Sequence, residues 1–136
     1  MQLNIYLFYN GNCEEAMNFY KDALGGEIVI INRYGDAPMP SSDAWKNQVM
    51  HGVLSAAGTT ILFSDSNEGH TTKMGDNFSV SLNFSSDDEI TTAFNNISAG
   101  GVVTLPLGDQ FWGAKFGMCI DKFDVNWMFN WDKPKP

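Results

Sequence analysis

The sequence predicts an α+β chain made of two β-α-β-β-β modules, and three observations carry that prediction. Strand-like and helix-like spacings of apolar residues follow one another in the same order in both halves. Cap and stop signals bracket one helix in each half. The two halves also align position by position, so the grammar recurs in detail.

A first strand is expected at Leu3 to Tyr9, rich in aromatic and branched residues and closed by Asn10-Gly11. Asn12 then serves as an N-cap with Glu15 at the capping-box position. Ala16, Phe19, Tyr20 and Ala23 form one apolar helix face, and Gly25-Gly26 ends it. Glu27 to Tyr34 reads as a strand, residues 35–47 as a long Pro/Ser loop, and Gln48 to Ala57 and Thr59 to Asp65 as a hairpin around Gly58. Residues 66–76 are polar and linker-like. The second half gives a strand over Asn77 to Ser85 and a helix capped by Ser86 with Glu89. Its apolar face is Ile90, Ala93, Phe94 and Ile97, and Gly100-Gly101 stops it. Strands follow at Val102 to Leu107, Phe111 to Asp121 and Val125 to Asp132, the last two joined by a turn at Lys122-Phe123-Asp124.

At an offset of 74, Asn12 meets Ser86, Ala16 meets Ile90 and Tyr20 meets Phe94; at 75, Gly25-Gly26 meets Gly100-Gly101. The chain is therefore read as one domain of two modules, 1–66 and 77–136, joined by a linker at 67–76. One such module leaves a sheet face uncovered. Two of them can curl their sheets into an open barrel with a trough, the helices lying outside.

Composition narrows the partners. Sixteen acidic and eight basic residues give a formal charge of −8, which repels phosphate backbones and anionic membranes. No nucleic acid and no membrane partner is expected. The longest strongly apolar run, Ile28 to Ile31, is far too short to span a bilayer. Met1-Gln2-Leu3-Asn4 carries no export pattern, so a cytoplasmic location is expected, with Cys13 and Cys119 as free thiols. Ten Phe, four Trp and four Tyr mostly build the core; a surplus of them can line a cavity for a planar or apolar ligand.

The stretches Tyr6 to Ala16, Phe19 to Gly26, Arg33-Tyr34-Gly35-Asp36, Met50-His51-Gly52 and Phe111-Trp112-Gly113 through Asp121-Lys122-Phe123 to Asn126-Trp127 resemble the PhnB-like branch of the glyoxalase/bleomycin-resistance (vicinal oxygen chelate) superfamily. The resemblance covers nearly the whole chain. It implies the paired-module fold and a homodimer. One departure is Asp124, where the family pattern carries Gly; Asp tolerates a left-handed turn position better than most residues.

The resemblance also implies a divalent metal held by His and Glu from the first and last strands of each module. Those strands here offer Asn4, Tyr6 and Phe8, no His or carboxylate in the strand at 77–85, none in Thr59 to Phe63, and Met128 where a Glu is expected. No metal and no cofactor is therefore predicted. His51 is the one strand histidine, either a polar anchor or general base or a half-buried structural residue; His70 reads as solvated. Tyr6, Phe8, His51, Phe63, Phe111, Trp112 and Met128 are the candidate ligand-binding residues, with His51 the candidate catalytic one. Cys119 and Cys13 read as structural thiols, although the helix dipole can lower the pKa of Cys13.

The expected function is binding of a small, partly aromatic or apolar molecule. The alternative is a lyase, isomerase or dioxygenase of the superfamily with relocated ligands, or an acid–base enzyme using His51. Relatives also carry a 3-demethylubiquinone methyltransferase label. Asn10-Gly11-Asn12-Cys13 has one glycine where an S-adenosylmethionine turn ordinarily has several, which argues against that activity. A phosphonate ligand would want cations, and only Arg33 and Lys115 qualify.

Overall fold

A computed structural model describes residues 1–135. It contains β1 (Ile5–Tyr9), α1 (Cys13–Leu24), β2 (Glu27–Arg33), a 3-10 turn (Tyr34–Asp36), β3 (Val49–Ala56), β4 (Thr59–Asp65), β5 (Val80–Asn83), α2 (Asp87–Ser98), β6 (Val102–Asp109), β7 (Ala114–Ile120) and β8 (Asn126–Asp132). The chain divides into two compact units, Met1–Lys73 and the remainder from Met74. Each holds one four-stranded sheet, in the order β1-β4-β3-β2 and β5-β8-β7-β6. The first strand of each sheet runs parallel to its neighbour and the other pairings are antiparallel.

In the first unit, Leu7 pairs with Phe63, and Phe63 with Gly52. Paired residues share a sheet face, so these three lie together. The α1 helix packs there: the ring of Tyr20 stacks on Phe63 at 5.9 Å. A Cβ on Gly52 would meet Met17 Sδ at 2.6 Å, so the helix sits against bare backbone. Cys13, Ala16, Met17, Tyr20 and Ala23 are the buried face of α1. Phe19, expected on that face, is only half-buried, and Met17 takes its place.

The second unit repeats the arrangement. Val80, Trp127 and Cys119 share one face, as do Leu82, Phe129 and Gly117. Ile90, Ala93, Phe94 and Ile97 are all buried, as the spacing predicts. Phe94 meets Phe129 edge-on at 5.2 Å, and a Cβ on Gly117 would lie 2.9 Å from the Phe94 ring.

Two local expectations differ. The strand at 77–85 shortens to Val80–Asn83, with Phe78 half-exposed ahead of it. The strand expected from Phe111 begins at Ala114, because residues 110–113 form the hairpin turn between β6 and β7. Gly113 N donates to Gln110 O at 3.1 Å and Gly113 has φ +89°, so the chain reverses there. Asp124 does adopt a left-handed conformation, φ +67°, and the β7–β8 turn closes around it.

Candidate functional site

Strand alternation sorts the candidate residues. Tyr6 and Phe8 point away from the helix side of the first sheet, with Leu62 and Ser64 of β4 and His51 and Val53 of β3. The Tyr6 and Phe8 rings stack at 5.0 Å and 16°. Phe8 is 49% exposed, so one flat side of this pair is open. The Tyr6 hydroxyl and His51 Nδ1 lie 2.8 Å apart and share a hydrogen bond.

That bond has two arrangements. If the phenol donates to Nδ1, the imidazole carries its proton on Nε2 and offers a donor. If Nδ1–H donates to the phenol oxygen, Nε2 becomes an acceptor and the phenol proton is free to be donated outward. Burial, with smaller effects of Cys13 and Tyr34, raises the Tyr6 pKa above its ordinary value. The phenol therefore stays neutral around pH 7. The pair can anchor a polar group on a ligand or pass one proton along it.

Phe63 does not join this group. It is fully buried between Tyr9 and Tyr20 on the helix side, because it is one residue out of phase with Leu62. Met128 lies on the helix-free face of the second sheet, paired with Ser81 and Met118, near Phe116. Trp112 leaves the hairpin turn and meets Phe116 edge-on at 5.9 Å. Phe111 sits at the tip of that turn, 97% exposed rather than on a strand. Trp127 is fully buried, and its indole N–H donates to Asp121 Oδ2 at 2.7 Å.

Two buried carboxylates escaped the sequence reading. Asp65, 1% exposed, ends β4 and accepts three backbone N–H groups: Gly11 at 2.7 Å, Cys13 at 3.0 Å and Val49 at 2.9 Å. It thereby caps α1 from another strand. Asn12 makes no side-chain cap bond. Its Oδ1 instead accepts from Asn10 N at 3.3 Å. Asp121 likewise accepts Phe123 N and Val125 N, fixing the β7–β8 turn. The only sequence signal for Asp65 was an acid at the end of an apolar strand, which alone does not distinguish a cap from a solvated loop residue.

A cavity of about 330 Å³ opens at the carboxyl end of the β1–β4 pair, lined by Phe8, Tyr34, Asp65, Asn67, His70 and Thr72 among others. His70 is exposed, as expected, but borders this cavity. The Tyr34 hydroxyl donates to Asp65 O at 2.7 Å and lies 3.1 Å from Asn67 Oδ1. The segment is tied down by Trp45 Nε1, which donates to Ser66 O at 3.1 Å, and by Asn10, which exchanges two bonds with Thr72.

The two cations that a phosphonate would need are already engaged. Arg33 makes a forked pair with Glu14 at 2.9 and 3.0 Å and also donates to Asn47 O. Lys115 pairs with Asp87. For a divalent ion, no three of His, Cys, Asp and Glu gather closely enough to share one among the described residues. The helix-free face of the first sheet brings one imidazole with phenol and hydroxyl groups, and that of the second sheet brings thioether and amide groups. Neither donor set fits a divalent site built from His and carboxylates.

Both thiols are free and buried. Burial, with Asp65 and Glu14 nearby, pushes the Cys13 thiol well above its usual range and outweighs any helix-dipole effect. Burial and Asp121 push Cys119 up to about 12.

Comparison with known proteins agrees with this architecture. The family model described as 3-demethylubiquinone-9 3-methyltransferase matches residues 1–129. The chain is 30% identical over 147 aligned positions to Protein YjdN of Escherichia coli (strain K12), covering 100% of this chain and 99% of that protein. Among solved structures, protein PA1353 from Pseudomonas aeruginosa is 37% identical with a TM-score of 0.89, covering 98% of this chain and 99% of that one. The PhnB protein from Bacillus cereus is 30% identical with a TM-score of 0.75, covering 96% and 99%. The fosfomycin resistance protein FosX from Listeria monocytogenes, at 11% identity and a TM-score of 0.66 over 98% and 93%, shares the fold alone. The repeated module, the two four-stranded sheets and the match along nearly all of the sequence place this chain in the family described as 3-demethylubiquinone-9 3-methyltransferase, alongside the PhnB protein from Bacillus cereus.

Proposed function

We propose that the chain binds a small, partly aromatic molecule on the helix-free face of its first sheet, using no metal and no cofactor. The observation that carries this reading is the stacked Tyr6–Phe8 pair, half-open to solvent, beside the Tyr6–His51 hydrogen bond. An exposed aromatic plane supplies area for a flat ligand, and one adjacent polar pair supplies orientation. Trp112 and Met128, on or near the helix-free face of the second sheet, are the corresponding apolar contributors there. The protein acts as a cytoplasmic homodimer in this reading. Its charge of −8 disfavours nucleic acid and anionic membranes as partners, and no helix among the described residues is long and apolar enough to cross a membrane.

The family description names a methyl transfer. The turn after β1 holds one glycine, and its free amides at Gly11 and Cys13 are taken by Asp65. No cradle for S-adenosylmethionine forms there.

The test is calorimetric titration with indole, quinoline and 2-naphthol. Saturable binding of at least one, weakened five-fold or more by Phe8→Ala, is the expected result. Absence of saturable binding with all three overturns the proposal. A second reading rests on the same Tyr6–His51 bond: with Nε2 as acceptor, His51 is a general base in a lyase or isomerase. Deuterium exchange into 2-hydroxycarbonyl compounds, followed by NMR and lost in His51→Ala, would favour it over simple binding.

A further inference from the structure

We infer that the cavity at the carboxyl end of β1 and β4 is a head-group subsite that selects a hydrogen-bond-donating, uncharged or cationic group on the ligand and rejects carboxylates and phosphates. The inference rests on the binding reading above and adds residues that reading does not use.

Continuity comes first. Phe8 stacks on Tyr6 and also lines the cavity. A flat ligand lying on Phe8 therefore reaches the cavity with any short substituent. At about 330 Å³ the space holds a group of a few heavy atoms together with some water. Chemistry comes second. No lysine or arginine lines the cavity among the described residues. Asp65 borders it through its backbone oxygen, which accepts from Tyr34, its carboxylate being taken by Gly11, Cys13 and Val49; Glu68 follows directly after Asn67 in the chain, held by Ser42. Arg33, the basic residue just before Tyr34, spends its guanidinium on Glu14 and Asn47. An incoming anion would find no lysine or arginine there to compensate for the hydration it loses. The Tyr34 oxygen, the Asn67 amide oxygen and the Thr72 hydroxyl border the space; each is held by one neighbour (Tyr34 donating to Asp65 O, Asn67 accepting from Tyr34, Thr72 bonding Ser66) and keeps a lone pair for a ligand donor. A hydroxyl or ammonium head is matched to such a lining.

The experiment is calorimetric titration of the full chain at pH 7.5 with four probes that share one ring system: indole, tryptophol, tryptamine and indole-3-acetate. Tryptophol and tryptamine should bind at least five-fold more tightly than indole, and indole-3-acetate more weakly than indole. Asn67→Ala and His70→Ala, both at exposed positions outside the core, should remove the advantage of tryptophol and tryptamine while leaving the affinity for indole unchanged. Equal or tighter binding of indole-3-acetate overturns the inference while leaving the aromatic platform standing. So does a head-group preference that both variants retain. Failure of indole and all three derivatives to bind overturns the platform and the subsite together.

Discussion

Asp65 shows how much one side chain can organise. It is removed from water, yet each of its three bonds joins a different part of the first unit: the turn after β1, the first residue of α1 and the start of β3. Bonds from N–H groups to a charged acceptor contribute about 1.5–3 kcal/mol each, and orphaned buried N–H groups cost about 1–3 kcal/mol. These terms overlap, so Asp65→Ala should destabilise the protein by about 3–5 kcal/mol. Asp65→Asn should cost less, since one oxygen remains to accept. Urea unfolding with an unchanged slope checks the order; equal midpoints for wild type and Asp65→Ala would refute the role. The thiols give a second prediction at this scale. With Cys13 raised by burial and Cys119 at about 12, neither supplies thiolate at pH 8. Ellman's reagent should detect no fast-reacting thiol in the native protein and two in denaturant. A rapid native reaction would mean that one of them is reachable and ionised. Asp65 was illegible in the sequence because its partners lie 52 and 54 residues away, at Cys13 and Gly11. Ser86, whose side chain accepts from Glu89 N only three residues on, was legible.

At the scale of elements, the glycine pairs after the helices have two separate jobs. Gly25 and Gly100 adopt left-handed conformations, φ +66° and +77°; Gly25 caps α1, and Gly100 follows Ala99, the cap residue of α2. Gly26 and Gly101 are needed for a different reason: a Cβ on Gly26 would lie 2.7 Å from Ser55 O, and one on Gly101 would collide with Ile120 O. The sequence announces the stop but says nothing of the close approach to β3 and β7, which is a tertiary fact. Gly25→Ala, with nothing within 4 Å, carries only the left-handed strain of about 1–2 kcal/mol. Gly26→Ala must shift backbone and should cost about 2–3 kcal/mol or more. The same order is expected for Gly100→Ala and Gly101→Ala, read from thermal unfolding; a reversed order in both pairs would refute the contact argument. Phase explains the remaining misreadings. Strand alternation was visible in β1, so Tyr6 and Phe8 were placed together correctly. In β4 the run Ile61-Leu62-Phe63 is apolar throughout, so the sequence gives no phase, and the structure places Phe63 on the helix side against Tyr9 and Tyr20.

For the whole molecule, the dominant electrostatic fact is the imbalance of sixteen acids against eight bases. Lys21, Arg33, Lys46, Lys115 and Lys133 each lie beside a carboxylate. Those pairs favour folding, while the unpaired excess of acids opposes it. The Arg33 bond holds Glu14 below the usual carboxylate range, so that its contribution is complete at neutral pH and fades only as pH falls below the ordinary Glu value of about 4.3. Both partners are partly exposed, and exposed pairs contribute about 0–1 kcal/mol each. Added salt weakens both terms, but not equally. The pairs act across about 3–4 Å, well inside the Debye length of about 10 Å at 0.1 M; the acid–acid repulsion acts over longer distances and is screened first. Raising NaCl from 10 to 300 mM at pH 7.5 should therefore stabilise the chain, by about 1 kcal/mol or about 3–5 °C in Tm. Chloride avoids the exclusion effects of sulfate, which would stabilise a protein of any charge. A fall in Tm over the same range would mean that the ion pairs outweigh the repulsion, and that the acidic surplus is not what limits stability at low salt.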